Sequence, residues 1–187
     1  LGSGPRSGLG ELALPENERR AVSHERCEAG RGYTLEDMKL EMLHPPAIAR
    51  LRRDARDDAT SCVLRIATPA GSVLLGGDLP ASADAPLIAA AGDRLRASVL
   101  VVPQQGGRHA ATKALLEAVA ASHALLQVGY RNRHRHPHPE ILARLARSRL
   151  EVLRTDQDGA VQVRLRAGRA PTIFRERYDA PPYWRVS

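Results

Sequence analysis

Three short stretches of the 187-residue chain carry side chains whose types and spacing can do chemistry. The densest is Gly129-Tyr130-Arg131-Asn132-Arg133-His134-Arg135-His136-Pro137-His138-Pro139, with three Arg and three His in eleven residues. Its histidines fall at every second position, so an extended backbone would turn them to one side. Such a set can hold a metal ion, or it can offer phosphate a positively charged, pH-dependent loop. The interleaved arginines repel a dication, which favours phosphate over metal, with Arg131, Asn132, Arg133, Arg135 and His136 as the contacts. A solvated loop is the alternative.

The second stretch, Val101-Val102-Pro103-Gln104-Gln105-Gly106-Gly107-Arg108-His109, follows an apolar strand. The Gln104 and Gln105 amides hydrogen-bond phosphate or sugar but are poor transition-metal ligands. Gly106-Gly107 would let phosphates reach backbone N–H groups near the start of the next helix, with Arg108 beside them. A plain glycine turn into a helix fits equally well. In the third stretch, Gly76-Gly77-Asp78, a carboxylate closes an apolar strand, where it is held rigidly toward a cleft and suits a metal ligand. A turn or a helix N-cap is the competing reading of Asp78. Phe174, Tyr178, Tyr183 and Trp184 alternate near the C-terminus with Arg175, Arg177 and Arg185. They suit base stacking, although an aromatic clamp over the sheet edge is the favoured reading.

The elements that must position these residues can be read from periodicity. Met38 to Leu43 alternates apolar and charged residues, the period of a half-buried strand that His44-Pro45-Pro46 ends. Cys62 to Ile66 and Ser72 to Leu75 flank Pro69-Ala70-Gly71, a hairpin signal. Ala81 to Ala91 and Ala111 to Ala121 are helix-like, whereas Ala97 to Val102 and His123 to Val128 are apolar strands. Pro139 to Arg149 is an amphipathic helix with Ile141, Leu142 and Leu145 on one face. A strand at Glu151 to Arg154, a turn at Asp156 to Gly159 and a strand at Val161 to Leu165 follow. Arg50 to Asp58 reads as a solvated helical turn or loop. Hairpins followed by strand–helix alternation predict an α/β fold, a mixed sheet with external helices. Residues 1–26 form a loop-rich lead-in, 27–170 the folded unit and 171–187 an aromatic and arginine-rich tail.

Composition narrows the class. With 43% hydrophobic and 26% charged residues, 15 Gly and 13 Pro, the chain is neither a disordered tail nor collagen-like. No run of about 18 apolar residues reads as a membrane span, and the first residues lack a signal-peptide pattern, so the expectation is a soluble piece. It begins at Leu1 rather than Met, and is expected to be part of something longer. The net charge of +7 rests on arginine, since Lys39 and Lys113 are the only lysines. That bias fits either genome composition or attraction to a polyanion, whose phosphate oxygens match the guanidinium fork. Cys27 and Cys62 permit one disulfide if the compartment is oxidising, and are otherwise two buried thiols.

Taken in order, several segments resemble the C-terminal half of the metallo-β-lactamase-like domain of ComEC-type competence proteins, which form the inner-membrane channel for DNA uptake. They are Cys27-Glu28-Ala29-Gly30, Met42-Leu43-His44-Pro45, Ser61-Cys62-Val63-Leu64, Leu74-Leu75-Gly76-Gly77-Asp78 and Val101-Val102-Pro103. The series continues with Val128-Gly129-Tyr130-Arg131-Asn132-Arg133, His136-Pro137, Leu153-Arg154-Thr155-Asp156, Asp158-Gly159-Ala160 and Tyr183-Trp184-Arg185. The resemblance runs from about Leu14 to the end. It implies part of an αββα sandwich that binds a zinc or manganese pair and hydrolyses DNA phosphodiesters. It also implies an inner-membrane parent with this domain in the periplasm, and as partners DNA, the membrane channel and the rest of the domain. Asp78 then matches a metal-bridging aspartate, and His136 a histidine near the active-site mouth.

The departures from that pattern decide the expected activity. The family has two histidines where this chain has Gln104-Gln105, and a serine at Gly107. Its Asn-rich segment before Ser61 is here Asp58-Ala59, and its aromatic-Gly pair is His134-Arg135. Its His-x-His-x-Asp-His cluster belongs to the N-terminal half and does not occur here. Zinc needs about three or four strong donors. The leading expectation is therefore a partial domain with a degenerate metal site and no cofactor of its own. A non-catalytic DNA-binding module using Arg108, Arg131, Arg133, Arg135 and His136 is one alternative. An active hydrolase completed by the missing half is the other.

Overall fold

The computed structural model describes residues 26–48 and 60–180. The lead-in, the charged run at Arg50 to Asp58 and the segment with Tyr183, Trp184 and Arg185 lie outside the described residues.

The chain opens with antiparallel hairpins. Strand β1 (Gly32–Leu35) pairs with β2 (Met38–His44), β2 with β3 (Val63–Thr68), and β3 with β4 (Gly71–Leu75). Strands β5 (Val99–Val101), β6 (His123–Leu126) and β7 (Glu151–Arg154) then extend the same sheet parallel to β4. The spatial order is the sequence order, from β1 through β7. Antiparallel neighbours need only a tight turn, whereas parallel neighbours need a crossover. Helices α1 (Ala81–Ala91), α2 (Lys113–Val119) and α3 (Pro139–Arg147) supply those crossovers. The described residues thus form a mixed α/β unit built on a seven-stranded sheet.

Local chemistry sets the helix ends. Helix α2 starts two residues later than the apolar pattern suggests because Thr112 caps it, its hydroxyl accepting from the Leu115 N–H at 3.3 Å. The buried Asp84 carboxylate of α1 in turn accepts from the Thr112 N–H at 2.9 Å. Helix α3 has Pro139 at its first turn and His138 as N-cap. Glu140 lies in its first turn and Arg144 and Arg147 in its last, complementing the helix dipole. The strands expected to reach Val102 and Val128 stop at Val101 and Leu126. The turn at Asp156 is a single helical turn, α4 (Thr155–Asp158), in which Asp158 accepts from the Arg154 N–H at 2.6 Å.

The core lies between the helices and one face of the sheet. Leu74, Leu100, Ala124 and Leu126 pack with Leu87, Leu115, Leu116, Val119, Ile141 and Leu145. The strand register carries a second apolar row across the opposite face, through Leu40, Ile66 and Val73, and through Met42, Leu64, Leu75, Val101, Leu125 and Leu153. Of these only Leu153 is fully buried; the rest are half-buried. A separate ribbon, β8 (Val161–Arg164) with β9 (Thr172–Arg175), ends in the one-turn helix α5 (Glu176–Asp179). Phe174 is therefore a half-buried strand residue.

Cys27 and Cys62 are joined by a disulfide, with their Cα atoms 5.8 Å apart. The segment after Cys27 clasps the end of β2, the Ala29 N–H donating to Pro45 O at 2.8 Å and the Gly30 N–H to Met42 O at 3.0 Å. The bond closes a loop spanning 35 positions, and such a cross-link stabilises by about 3–4 kcal/mol through chain entropy. Reductant should lower the unfolding free energy of the wild type by that amount, moving its urea midpoint down, and leave a Cys27→Ser/Cys62→Ser variant unchanged. Equal midpoints for oxidised wild type and the double variant would contradict this.

Candidate functional site

In a parallel sheet, ligand-binding loops collect at the carboxyl ends of the strands. Here β4 leads into Gly76-Gly77-Asp78, β5 into Pro103 to Arg108, β6 into the Arg/His loop and β7 into Thr155. These exits are tied to each other. The Gly76 N–H donates to Val101 O at 3.1 Å, and the Gln104 N–H to Gly77 O at 2.9 Å. The Thr155 hydroxyl donates to Val128 O and accepts from the Val128 N–H, both at 2.8 Å.

The glycines at the β4 exit are dictated by space. A Cβ at Gly76 would lie 2.6 Å from a Pro103 ring carbon. Gly77 has φ +54°, and a Cβ there would lie 2.5 Å from Cys62 O and 2.7 Å from the Ser61 hydroxyl. That approach lets the Ser61 hydroxyl accept from the Asp78 N–H at 2.8 Å. The Ser61 carbonyl accepts from Nδ1 of the buried His44 at 2.7 Å, so that nitrogen carries the proton. Sequence reasoning passed over Ser61 and His44 as functional residues, because their role depends on contacts 17 positions apart.

Asp78 is exposed, and its Oδ1 accepts from Gln105 Nε2 at 3.1 Å. Gln104 and Gln105 both hold left-handed backbone, at φ +50° and +48°. For non-glycine residues this costs of order 1–3 kcal/mol each, a strain that the surrounding contacts must hold. It aims the Gln105 amide back at the Asp78 carboxylate.

The Arg/His loop departs from the extended form expected of it. Arg131 and Arg135 have positive φ, and Asn132 folds the intervening chain over itself. The Asn132 amide donates to Gly129 O at 3.1 Å and to His136 O at 2.7 Å, while its oxygen accepts from the His136 N–H at 2.9 Å. His134 stacks near His136 with ring centroids 5.8 Å apart, and His138 accepts from the Glu140 N–H at 3.2 Å. His136 is half-buried against the Gln104–Gly107 turn: a Cβ placed on Gly107 would lie 3.5 Å from its Cε1. Burial lowers the His136 pKa, with His134 and His138 adding to the effect. Its Nδ1 is buried with no hydrogen-bond partner.

The cations are arranged around this core. Arg131, Arg133 and Arg135 are exposed, Arg131 lying over the Tyr130 ring and Arg133 donating to His134 Nε2 at 3.0 Å. Arg108 is instead committed to Glu140 at 2.6 Å, a bond that holds the Glu140 carboxyl below the usual carboxylate range. Hydrogen bonds thus join Ser61, Asp78 and Gln105, with Gln104 tied to Gly77 beside them and His136 close to Gly107 at the end of the same turn, while Arg131, Arg133 and Arg135 are exposed on the His136 loop.

A zinc pair does not fit these donors. Asp78 is flanked by an amide and a hydroxyl, and zinc sites draw on imidazole, thiolate and carboxylate. Among the described residues, no three His, Cys, Asp or Glu side chains gather in a way that could hold a metal ion.

The fold and this surface define a mixed α/β unit with a basic, glycine-rich face at the carboxyl ends of its parallel strands, and the sequence is similar to those of two known proteins of bacterial competence. Competence protein ComA of Neisseria gonorrhoeae is 32% identical over 117 residues, covering 63% of this chain and 17% of that protein. ComE operon protein 3 of Bacillus subtilis (strain 168) is 28% identical over 154 residues, covering 82% of this chain and 19% of that protein. The chain thus spans less than a fifth of the length of either curated relative. No family model matches it. Among the described residues, no helix is long and apolar enough to cross a membrane.

The support beneath Asp78 is pH-sensitive. Burial lowers the His44 pKa from the ordinary 6.5, and the bond to Ser61 O opposes that only in part. A depressed folded-state pKa gives stability that is present above pH 6.5 and is lost as pH falls through the folded value. The melting temperature should therefore drop as pH falls below 6.5, and drop less in His44→Asn, whose amide still donates to Ser61 O. His136 contributes in the same window, so His44→Asn/His136→Asn should be flatter still. Parallel melting-temperature curves for all three proteins would contradict this assignment.

Proposed function

We propose that this chain is part of a competence protein serving DNA uptake, and that its carboxyl-end loops hold DNA phosphates without cleaving them. The observation that carries the reading is the donor set at Asp78. The Asp78 carboxylate faces the Gln105 amide, and its N–H bonds the Ser61 hydroxyl, where a hydrolytic metal site would bring imidazoles. The neighbouring Arg131, Arg133 and Arg135 supply the charge that attracts phosphate. On this reading Gln104, Gln105, Asn132 and His136 add polar contacts, and Arg108 contributes through its exposed guanidinium edge. On this reading the unit is the C-terminal half of a metallo-β-lactamase-like sandwich whose metal site has degenerated. Its parent lies in the bacterial inner membrane, with this part in the periplasm beside the DNA channel. A cystine at Cys27–Cys62 is in keeping with an oxidising compartment.

A second reading is favoured by the half-buried apolar row from Leu40 and Met42 across to Leu125. That face suits a second sheet, the rest of the domain, packed about 10 Å away. If that layer brought histidines to Asp78, the assembled protein would be a metallohydrolase.

Two measurements test the proposal. Fluorescence anisotropy with labelled DNA should give an affinity that falls steeply with salt, and Arg131→Ala/Arg133→Ala/Arg135→Ala should reduce the log–log salt slope by about 2 to 3. A flat salt response in the wild type would refute phosphate binding. Incubation of the chain with DNA and zinc or manganese should leave the DNA intact. Cleavage that disappears in Asp78→Ala would refute the silent site.

A further inference from the structure

We propose that the β8–β9 ribbon is a second DNA-backbone contact, at the end of the sheet opposite Asp78. This rests on the DNA reading above but on none of its residues. From Gly159 to Arg175 the chain holds four arginines and no acidic residue, against a net charge of +7 for the whole protein. More than half of the excess positive charge therefore sits on one small element.

The strand alternation separates its two sides. Val161, Val163 and Leu165 are half-buried, while Gln162, Arg164 and Arg166 are exposed. Leu165 anchors the ribbon: its methyl carbons lie 3.4 and 3.6 Å from the position of a Cβ on Gly71. Gly71 opens β4, so the ribbon's turn lies at the amino end of the strand whose carboxyl end carries Asp78. Within that turn the Arg169 N–H donates to Arg166 O at 3.1 Å and Gly168 takes φ +69°, which draws Arg166 and Arg169 together.

Among the described residues, the guanidinium groups of Arg164, Arg166 and Arg169 have no ion-pair or hydrogen-bond partner. Arg94, Arg108 and Arg154, by contrast, each bond a carboxylate. Arg164 ends β8 and Arg166 follows two positions on with the same exposed side, and residues two apart in extended chain lie about 6.6 Å from each other, a spacing that lets the two meet different phosphates. A two-stranded ribbon is also narrow enough to enter the DNA major groove. The turn residues Ala167, Gly168 and Ala170 offer no large apolar side chain to insert into a bilayer, which favours DNA over an anionic lipid surface.

The test uses the whole 187-residue chain and a labelled DNA duplex. Arg164→Ala/Arg166→Ala/Arg169→Ala should keep the wild-type melting temperature, weaken binding by about 10²-fold near 0.1 M salt and lower the salt slope by about 2 to 3. Arg164→Lys/Arg166→Lys/Arg169→Lys, which keeps the charge, should restore the slope. The proposal fails if the alanine variant binds like wild type while the Arg131/Arg133/Arg135 alanine variant is weakened. It also fails if the alanine variant loses affinity only for phosphatidylserine vesicles and not for DNA. Absence of any DNA binding by the wild type would instead overturn the underlying DNA reading, and this inference with it.

Discussion

At Gly76 and Gly77 three stretches of backbone come closer than any side chain would permit. Gly76 lies against Pro103 and Val101, and Gly77 lies against Ser61 and Cys62. The exits of β4 and β5 and the approach to β3 are therefore locked as one piece. Asp78 inherits its position from that contact through the Ser61 hydroxyl, and Gln104 is placed by the Gly77 carbonyl. The disulfide pins the same segment from its other side through Cys62, and His44 supports it from below. A methyl group at either glycine would have to push main chain aside, which rigid strands resist.

That constraint sets which groups stand beside Asp78. The lock sets the Gln105 carboxamide against the Asp78 carboxylate and the Ser61 hydroxyl against the Asp78 N–H. Carboxamides bond readily to phosphate oxygens or to a carboxylate, but they hold transition metals weakly. The left-handed turn at Gln104 and Gln105 spends backbone energy to direct an amide at Asp78. His136, with its pKa lowered by burial, adds a largely neutral imidazole above pH 6.5. The positive charge is left to the exposed arginines, whose guanidinium forks have the geometry that pairs with carboxylate or phosphate oxygens.

The two faces of the sheet have different fates. The helix side is closed by leucines from all three crossovers. The other side is covered fully only at places such as Val99 and Leu153, and the remaining apolar row is half-buried. Burial of such a row against a second layer would be favourable in proportion to the apolar area removed from water. The arginine-bearing ribbon sits beyond one end of this face and the Arg/His loop beyond the other, so charge marks both ends of the unit.

Much of the architecture was legible in consecutive residues. The alternation at Met38 to Leu43, the Pro69-Ala70-Gly71 turn, and Pro139 followed by Ile141 and Leu145 each report a local preference, because strand and helix periods and turn dihedrals act over a few positions. Strand β9 was less legible, since Thr172 to Arg175 gains its identity from pairing with Val161 to Arg164. The site depended far more on the fold. Histidines two apart suggested one shared side, and the fold stacks His134 on His136, but it is Asn132 that curls their loop and α3 that takes His138 as its cap. Arg108 looked free to meet phosphate until Glu140, 32 positions away, bonded it. The amino-acid order alone determined which elements form and which chemical groups are available. Only the tertiary structure decided which of those groups meet, because the loops come together through the order of the strands and the absence of a Cβ at two glycines.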